Sequence, residues 1–530
     1  MEFLPTRRGQ LFAFQFKAIA LEPVLGAAVA VQFGWLAALL WLLGGVIFCG
    51  WVQDYAITVM GVRNGGASLG ALTEKYLSPR ARRALLALLY PYLILTLSGL
   101  AVILSPVLAK ENVPFSLLGV VLAGLLAGEM SHRRRWGELP TTILAVGVAG
   151  FVIWIGNSDG VQNFVGAVNR LGSSFAFHQP FYGATNLAGL FWLSLTLGLC
   201  YLGTTLPLWR FTQPFMITTA WLILLAMGIA MGGILVATFS GSPKTGFEIP
   251  PLILSSQANL GPLWPMLFIT LSGGAVSGWQ ALVATFCTSR QLWKESDALP
   301  VTAGATFTQA VLVALVIIFA ASLGVSAHLF DPAQGYRLVA GPASVFANGM
   351  SQFLGAVGVS PARGNALAIL FLALLSLTTL PLLLRYSHLI GAELFGRIAA
   401  FQDRRRGTLI PLALVLLLAL SGLWQWSWPL FGGINLLLSG FALLFVSLWL
   451  KKQTKPYYWT LVPGILVSLT AFAALFYTAL YTALYKNILL AGSQTNAVSS
   501  GGLIGNFITA SLGVYFLYFG IVLMSPLQKG

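Results

Sequence analysis

Two interruptions of otherwise apolar stretches hold the residue types that could do chemistry. The first is Leu21-Glu22-Pro23-Val24-Leu25-Gly26, where Pro23 removes a backbone donor and pushes Glu22 away from the helical conformation. The second is Ser272-Gly273-Gly274-Ala275-Val276-Ser277-Gly278, in which three glycines loosen a helix. Helices broken at bilayer depth leave N–H and C=O groups free to hold ions and the charged ends of small solutes. The chemistry implied is binding and passage. Main-chain groups near Pro23, Gly26, Ser277 and Gly278 would take a carboxylate or amine, and Trp279 and Gln280 would shape the pocket. Gly and Pro are also common in membrane helices that merely pack closely, so that reading of either motif alone stays open.

Ionisable side chains inside apolar spans are costly and mark function by default. Glu22, beside the first break, is the leading site for an ion or proton; its structural alternative is a partner for Lys17, five residues earlier. Gln53 and Asp54 are placed near the cytoplasmic end of the second span, Asp54 as a gate or as half of a buried ion pair with a basic loop residue. Arg385 and His388 are placed at a membrane boundary, snorkelling toward water, and His132, His178 and His328 in loops. Cys49, Cys200 and Cys287 are far apart in apolar runs and read as small core hydrophobes. No H-E-x-x-H, Ser with His, or cluster of Asp suggests an enzyme, no glycine-rich phosphate loop suggests an ATP-driven pump, and neither metal nor cofactor is called for.

These sites need a membrane scaffold. Of the 530 residues, 57% are hydrophobic and 8% charged, against about 25% charged in an average soluble domain. Apolar runs near the roughly 20 residues that cross a bilayer recur along the whole chain, giving about 14 transmembrane helices and an all-α polytopic membrane protein in one domain, residues 1–530. The expected spans are Leu11–Phe33, Leu36–Met60, Ala84–Leu108, Phe115–Gly128, Thr141–Gly156, Leu187–Leu208, Phe215–Phe239, Leu263–Phe286, Val301–Leu323, Ala366–Ile390, Leu409–Leu423, Phe431–Leu450, Trp459–Tyr485 and Leu503–Met524. The net charge of +15 sits in short loops on one side, whereas Lys110, Arg170, Lys244, Arg337, Arg363 and Lys486 alone fall on the other. That asymmetry makes both termini cytoplasmic and argues against nucleic acid as a partner. The first and eighth spans run in opposite senses, as inverted repeats of a LeuT-type fold require.

With those residues in view, the chain resembles the carbon starvation protein A (CstA) family. Ala18-Ile19-Ala20, Pro23, Gly26 and Gln32-Phe33-Gly34, continuing through Leu40 to Val46 and Val52-Gln53-Asp54-Tyr55, are similar to its signature, followed by Arg63-Asn64-Gly65-Gly66-Ala67-Ser68-Leu69-Gly70. Leu267-Phe268-Ile269-Thr270 with Gly274 to Leu282, and then Trp428-Pro429-Leu430-Phe431-Gly432-Gly433-Ile434-Asn435, follow in the same order, and the third block adds Asn435 to the substrate-binding set. The resemblance implies a LeuT-like inverted-repeat core in a bacterial inner membrane. It implies uptake of peptides or small acids such as pyruvate under carbon starvation, coupled to a proton or sodium ion.

The resemblance also marks departures. Members usually begin with two further spans. They carry a His pair where this chain has Phe14-Gln15, a Gly-rich stretch at Leu21-Glu22, a His at Gln280, and Glu and Asp where Leu372 and Pro381 stand. A symporter with Glu22 as the coupling group is the leading expectation. A non-transporting sensor or assembly subunit built on the carrier fold is the alternative, and a passive channel is disfavoured because no repeated filter or ring of charge is visible.

Overall fold

The structure, a computed structural model, describes residues 5–110, 112–173, 176–179, 183–242, 245–256, 260–334, 336–490 and 500–528. The chain breaks in both regions singled out in the sequence, just ahead of Pro23 and at Val276–Ser277, while Gly273 and Gly274 themselves lie in a helical turn. Helix α1 (Arg8–Lys17) stops, four residues run non-helical, and α2 (Glu22–Ala30) restarts with Pro23 in its first turn, where a missing N–H costs nothing. The two halves are bent by 53°. The second break divides α10 (Leu263–Thr270), α11 (Ser272–Ala275) and α12 (Gly278–Val283), with Val276 and Ser277 extended between the last two.

The remaining long helices are α3 (Trp35–Arg63), α4 (Pro79–Leu108), α5 (Val113–His132), α6 (Glu138–Gly156), α8 (Leu187–Thr205), α9 (Thr212–Phe239), α13 (Ala298–Ala321), α15 (Pro361–Leu394), α16 (Arg404–Ser421), α17 (Phe431–Lys452), α18 (Tyr458–Phe476) and α19 (Ser500–Met524). Two shorter ones, α7 (Asp159–Ser173) and α14 (Pro342–Ala356), lie in the long connections. Among the described residues, 11 helices are long and apolar enough to cross a membrane, and the bent first pair makes 12. The other two of the expected spans are present in altered form. Leu263–Phe286 is cut into pieces too short to qualify, and Leu409–Leu423 lies in α16, whose first turn carries Arg404, Arg405 and Arg406.

The packing has an internal two-fold relation. Helix α8 rests on α4 and α15, and α16 rests on the same two; α4 packs along α15; α1 lies on α9 as α12 lies on α17. Each broken element thus opens a run of five crossings, α1–α2, α3, α4, α8, α9 and then α10–α12, α13, α15, α16, α17, which is the inverted-repeat core. The hairpin α5–α6 is inserted in the first run and leans on α9, while α18 and α19 follow the second. An inserted pair leaves the sense of everything downstream unchanged. Leu40, Phe48, Leu122, Ile143, Trp154, Leu225 and Leu469 are exposed on the outer helices, the lipid-facing complement of a core that encloses the polar side chains.

Candidate functional site

At the first break, Pro23 cannot donate to the carbonyl four residues back, so Ile19 O is released. The Thr379 hydroxyl, on α15, takes it at 3.4 Å. The neighbouring carbonyl of Ala18 accepts the indole N–H of Trp279 at 2.8 Å, which ties the first break to the second. Gly26 lets the two breaks touch, since a Cβ there would land on the Thr270 carbonyl oxygen. The Glu22 carboxylate lies against Gly273, whose backbone N–H it accepts, in space that any side chain at that position would fill.

The second break carries no charge and is braced by an amide. Asn435 Oδ1, on α17, accepts the Trp279 N–H at 3.0 Å, the Tyr92 hydroxyl at 3.3 Å and the Ser277 hydroxyl at 3.4 Å, and its amide reaches Ser272 Oγ at 3.5 Å. The extended Ser277 leaves its carbonyl to Gln53 Nε2 at 2.8 Å, while Gln53 Oε1 accepts Ser439 Oγ. Asp54 takes Thr306 Oγ1 at 2.9 Å and Gln53 Nε2 at 3.1 Å. Gln280 donates to Gln309, whose own amide caps the last carbonyls of α1 at Gln15 and Phe16.

Between the breaks is a cavity of about 20 Å³ lined by Glu22, Pro23, Ser277, Trp279, Gln280 and Asn435, with Tyr92, Thr96, Thr379 and Phe431 completing its wall. That is room for about one water molecule. A second cavity of about 640 Å³ opens beyond it, lined among others by Gly26, Trp424, Trp428 and Tyr477. Glu22 and Phe431 line both and form the partition. The Phe431 ring is stacked between Trp428, at 5.3 Å, and Tyr92, at 5.6 Å. A separate cavity of about 30 Å³ beside Gln10 and Trp221 lies away from both breaks.

The end of the bundle where Arg63 and Arg290 sit is shut. Gln213 Nε2 reaches both Thr6 Oγ1 and Gln291 Oε1 at 2.8 Å, Thr288 Oγ1 donates to Gln15 Oε1 at 2.5 Å, and Arg290 Nε donates to Gly66 O at 2.7 Å. Arg63 pairs with Glu295 at 2.6 Å at the surface.

Of the residues singled out in the sequence, six meet around the small cavity. Gly26 lines the large one, and Gly278 lies behind, against the Asn435 carbonyl. Gln53 and Asp54 stand behind Ser277 rather than in the cavity. Two expectations need correction. Among the described residues Asp54 has no basic partner; it is wholly buried on hydroxyl and amide donors, because α13 brings Thr306 where a loop cation was expected. Arg385 does not snorkel but is buried, donating to the carbonyls of Gly203 and Leu206 at the end of α8 at 2.8 and 2.6 Å, and His388 is buried beside it. Lys17 and Glu22 form no ion pair: Lys17 reaches Leu375 O instead. Sequence reasoning missed Tyr92, Thr96, Thr379 and Phe431, which lie in or begin unbroken helices. A hydroxyl or aromatic facing inward from such a helix gives no local signal beyond being polar in an apolar run. His178 lies where side chains fall outside the described residues.

Comparison with known proteins gives a consistent set. The family model for carbon starvation protein CstA matches residues 1–335 and 331–474. The pyruvate/proton symporter BtsT of Escherichia coli is 29% identical over 331 residues, 61% of this chain and 43% of that protein. The peptide transporter CstA of Mycobacterium tuberculosis is 25% identical over 532 residues, covering 88% of this chain and 67% of the relative, and CstA of E. coli is 25% identical over 541 residues, covering 87% and 72%. The chain therefore spans less than half of the first of these relatives and about two thirds of the second. Among solved structures, a point mutant of the manganese transporter of Eremococcus coleocola superposes with a TM-score of 0.51 at 11% identity, over 98% of this chain and 94% of that one, a likeness of fold.

Proposed function

The chain belongs to the carbon starvation protein CstA family, and from that premise we propose that it is a secondary transporter that imports a small organic solute, a short peptide or a carboxylate of pyruvate size, in symport with protons. It is no enzyme on this reading. It sits in the bacterial inner membrane with both termini and the shut basic end in the cytoplasm, as the charge asymmetry requires. The large cavity then opens outward, and the structure corresponds to a carrier waiting for cargo.

The observation that carries the reading is the carboxylate of Glu22 in the wall that separates the vestibule from the inner cavity. A carboxylate that is charged when it faces water and neutral when enclosed in an apolar body can cross with a proton bound. Main-chain groups at Pro23 and Ser277 supply the solute's hydrogen bonds, and Asn435 holds the second break in shape to do so. At about 20 Å³ the inner cavity admits no solute until Phe431 or Trp279 moves. The test is uptake of labelled pyruvate and dipeptides into proteoliposomes with an imposed pH gradient. Accumulation that follows the gradient and disappears in Glu22→Gln supports the proposal. Pyruvate or peptide binding without movement across the membrane would favour the sensor reading.

A further inference from the structure

A half-helix that ends inside a membrane presents its last carbonyls and the negative end of its dipole to whatever lies beyond. Helix α1 ends so, at Lys17. Pro23 frees the Ile19 carbonyl just past that end, and α15 faces it with the Leu375 carbonyl and the Thr379 hydroxyl one turn on. Thr379 Oγ1 lies 3.4 Å from Ile19 O and 3.2 Å from Leu375 O, while the neighbouring Thr378 hydroxyl donates to Leu374 O at 2.8 Å. Two main-chain carbonyls and a hydroxyl from a broken and a continuous helix are hard-oxygen donors of the kind alkali cations take in carriers.

Lys17 is in this set. Its side chain is fully buried, and its ammonium donates to Leu375 O at 3.2 Å. Among the described residues no carboxylate comes within ion-pair distance of it, and the Glu22 carboxylate turns the other way, to Gly273. A buried ammonium without a counter-ion is expensive and needs other compensation. Here the dipole end of α1 and the oxygens of α15 supply it.

We propose that the Lys17 ammonium is a tethered cation filling an alkali-cation seat between the first break and α15, so that the folded carrier requires no sodium or potassium ion there. The proposal deepens the transport reading, leaving the proton as the coupling ion, and its test reads folded-state stability so that it can stand or fall apart from transport.

The full-length protein in detergent is heated in NaCl, KCl and choline chloride at equal ionic strength. The wild type is expected to unfold at the same temperature in all three. Lys17→Ala empties the seat. It is expected to unfold earlier in choline chloride and to be restored by NaCl along a saturable curve, since an ion bound only by the folded state shifts the folding equilibrium about 100-fold at 100 times its dissociation constant. Lys17→Met, which fills the space without charge, should be weakened alike in all three salts. A wild-type midpoint that rises in NaCl over choline chloride overturns the proposal, as does a Lys17→Ala protein indifferent to sodium. If Lys17→Ala yields no folded protein in choline chloride, recovery in NaCl supports the proposal and recovery in neither salt overturns it.

Discussion

The two breaks solve the same problem with different chemistry. The first is made by a proline and is flanked by opposite charges, Lys17 behind and Glu22 ahead, each held by main chain and neither paired with the other. The second is an extended step at Val276–Ser277, carries no charge, and is fixed by the Asn435 amide, which accepts three donors at once. Proline frees a carbonyl and leaves a kinked rod, which suits ions; the extended Val276–Ser277 step exchanges helical hydrogen bonds for side-chain ones from Gln53 and Asn435, which suits a solute with a hydrogen-bonding end. On the proposed function, coupling falls to the first break and recognition to the second.

The largest effect that could break this division is at Glu22. Glu22→Gln keeps the shape and removes the titratable group. Proton-driven accumulation should vanish in proteoliposomes while solute exchange across the membrane without a gradient persists. If exchange vanishes and proton drive does not, coupling lies elsewhere.

Next in size, Asn435→Ala strips the acceptor from Trp279 N–H and from the hydroxyls of Tyr92 and Ser277. Leaving buried donors unsatisfied costs about 1–3 kcal/mol. A roughly 10-fold or greater loss of solute affinity is expected by calorimetry, with the pH dependence of what uptake remains unchanged. A change in that pH dependence would join the two breaks into one device.

A smaller effect sharpens the contact between the breaks. Gly26→Ala drives a methyl into the Thr270 carbonyl, an overpacking worth about 1–3 kcal/mol. Gly44→Ala, whose added methyl meets nothing within 4 Å, serves as its neutral partner. The thermal midpoint should fall for the first and hold for the second.

Much of this was legible in the residues because the breaks are made by local chemistry. Pro23 and the run Gly273-Gly274 announce themselves, and the opposite senses of their spans follow from where the basic loops fall. The partners were not legible. Lys17 lies five positions from Glu22 yet binds Leu375, 358 positions away, because the break turns the two side chains to different walls. Asp54 likewise sits near basic residues in sequence and finds Thr306 in space. Hydroxyls such as Thr379 become ligands only when a proline on another helix releases a carbonyl beside them, a relation with no trace in local pattern. The count of about 14 spans stays undecided at the same place, since a helix cut into short pieces falls below the length that marks a crossing.

The smallest effect concerns the shut end. Its visible tie is the Arg63–Glu295 pair, yet both side chains are about 40% exposed and in water such a pair is worth about 0–1 kcal/mol. The buried contacts among Thr6, Gln213 and Gln291 are the stronger closure. They are incomplete, however, because Gln213 Oε1, Gln291 Nε2 and Gln15 Nε2 have no partner among the described residues. A latch with unsatisfied amides is closed at a cost, and on the proposed function it opens once cargo and proton favour the other state. Cys287, buried under Tyr386 on the second broken span, reports on that opening. In a Cys49→Ser, Cys200→Ser background, Arg63→Gln should raise the rate of thiol labelling at Cys287 by no more than about 5-fold, the equivalent of about 1 kcal/mol. Gln213→Leu, which removes the amide hydrogen bonds to Thr6 and Gln291, should raise it further. Equal effects from the two would mean that the surface ion pair, and not the amide cluster, holds the carrier shut.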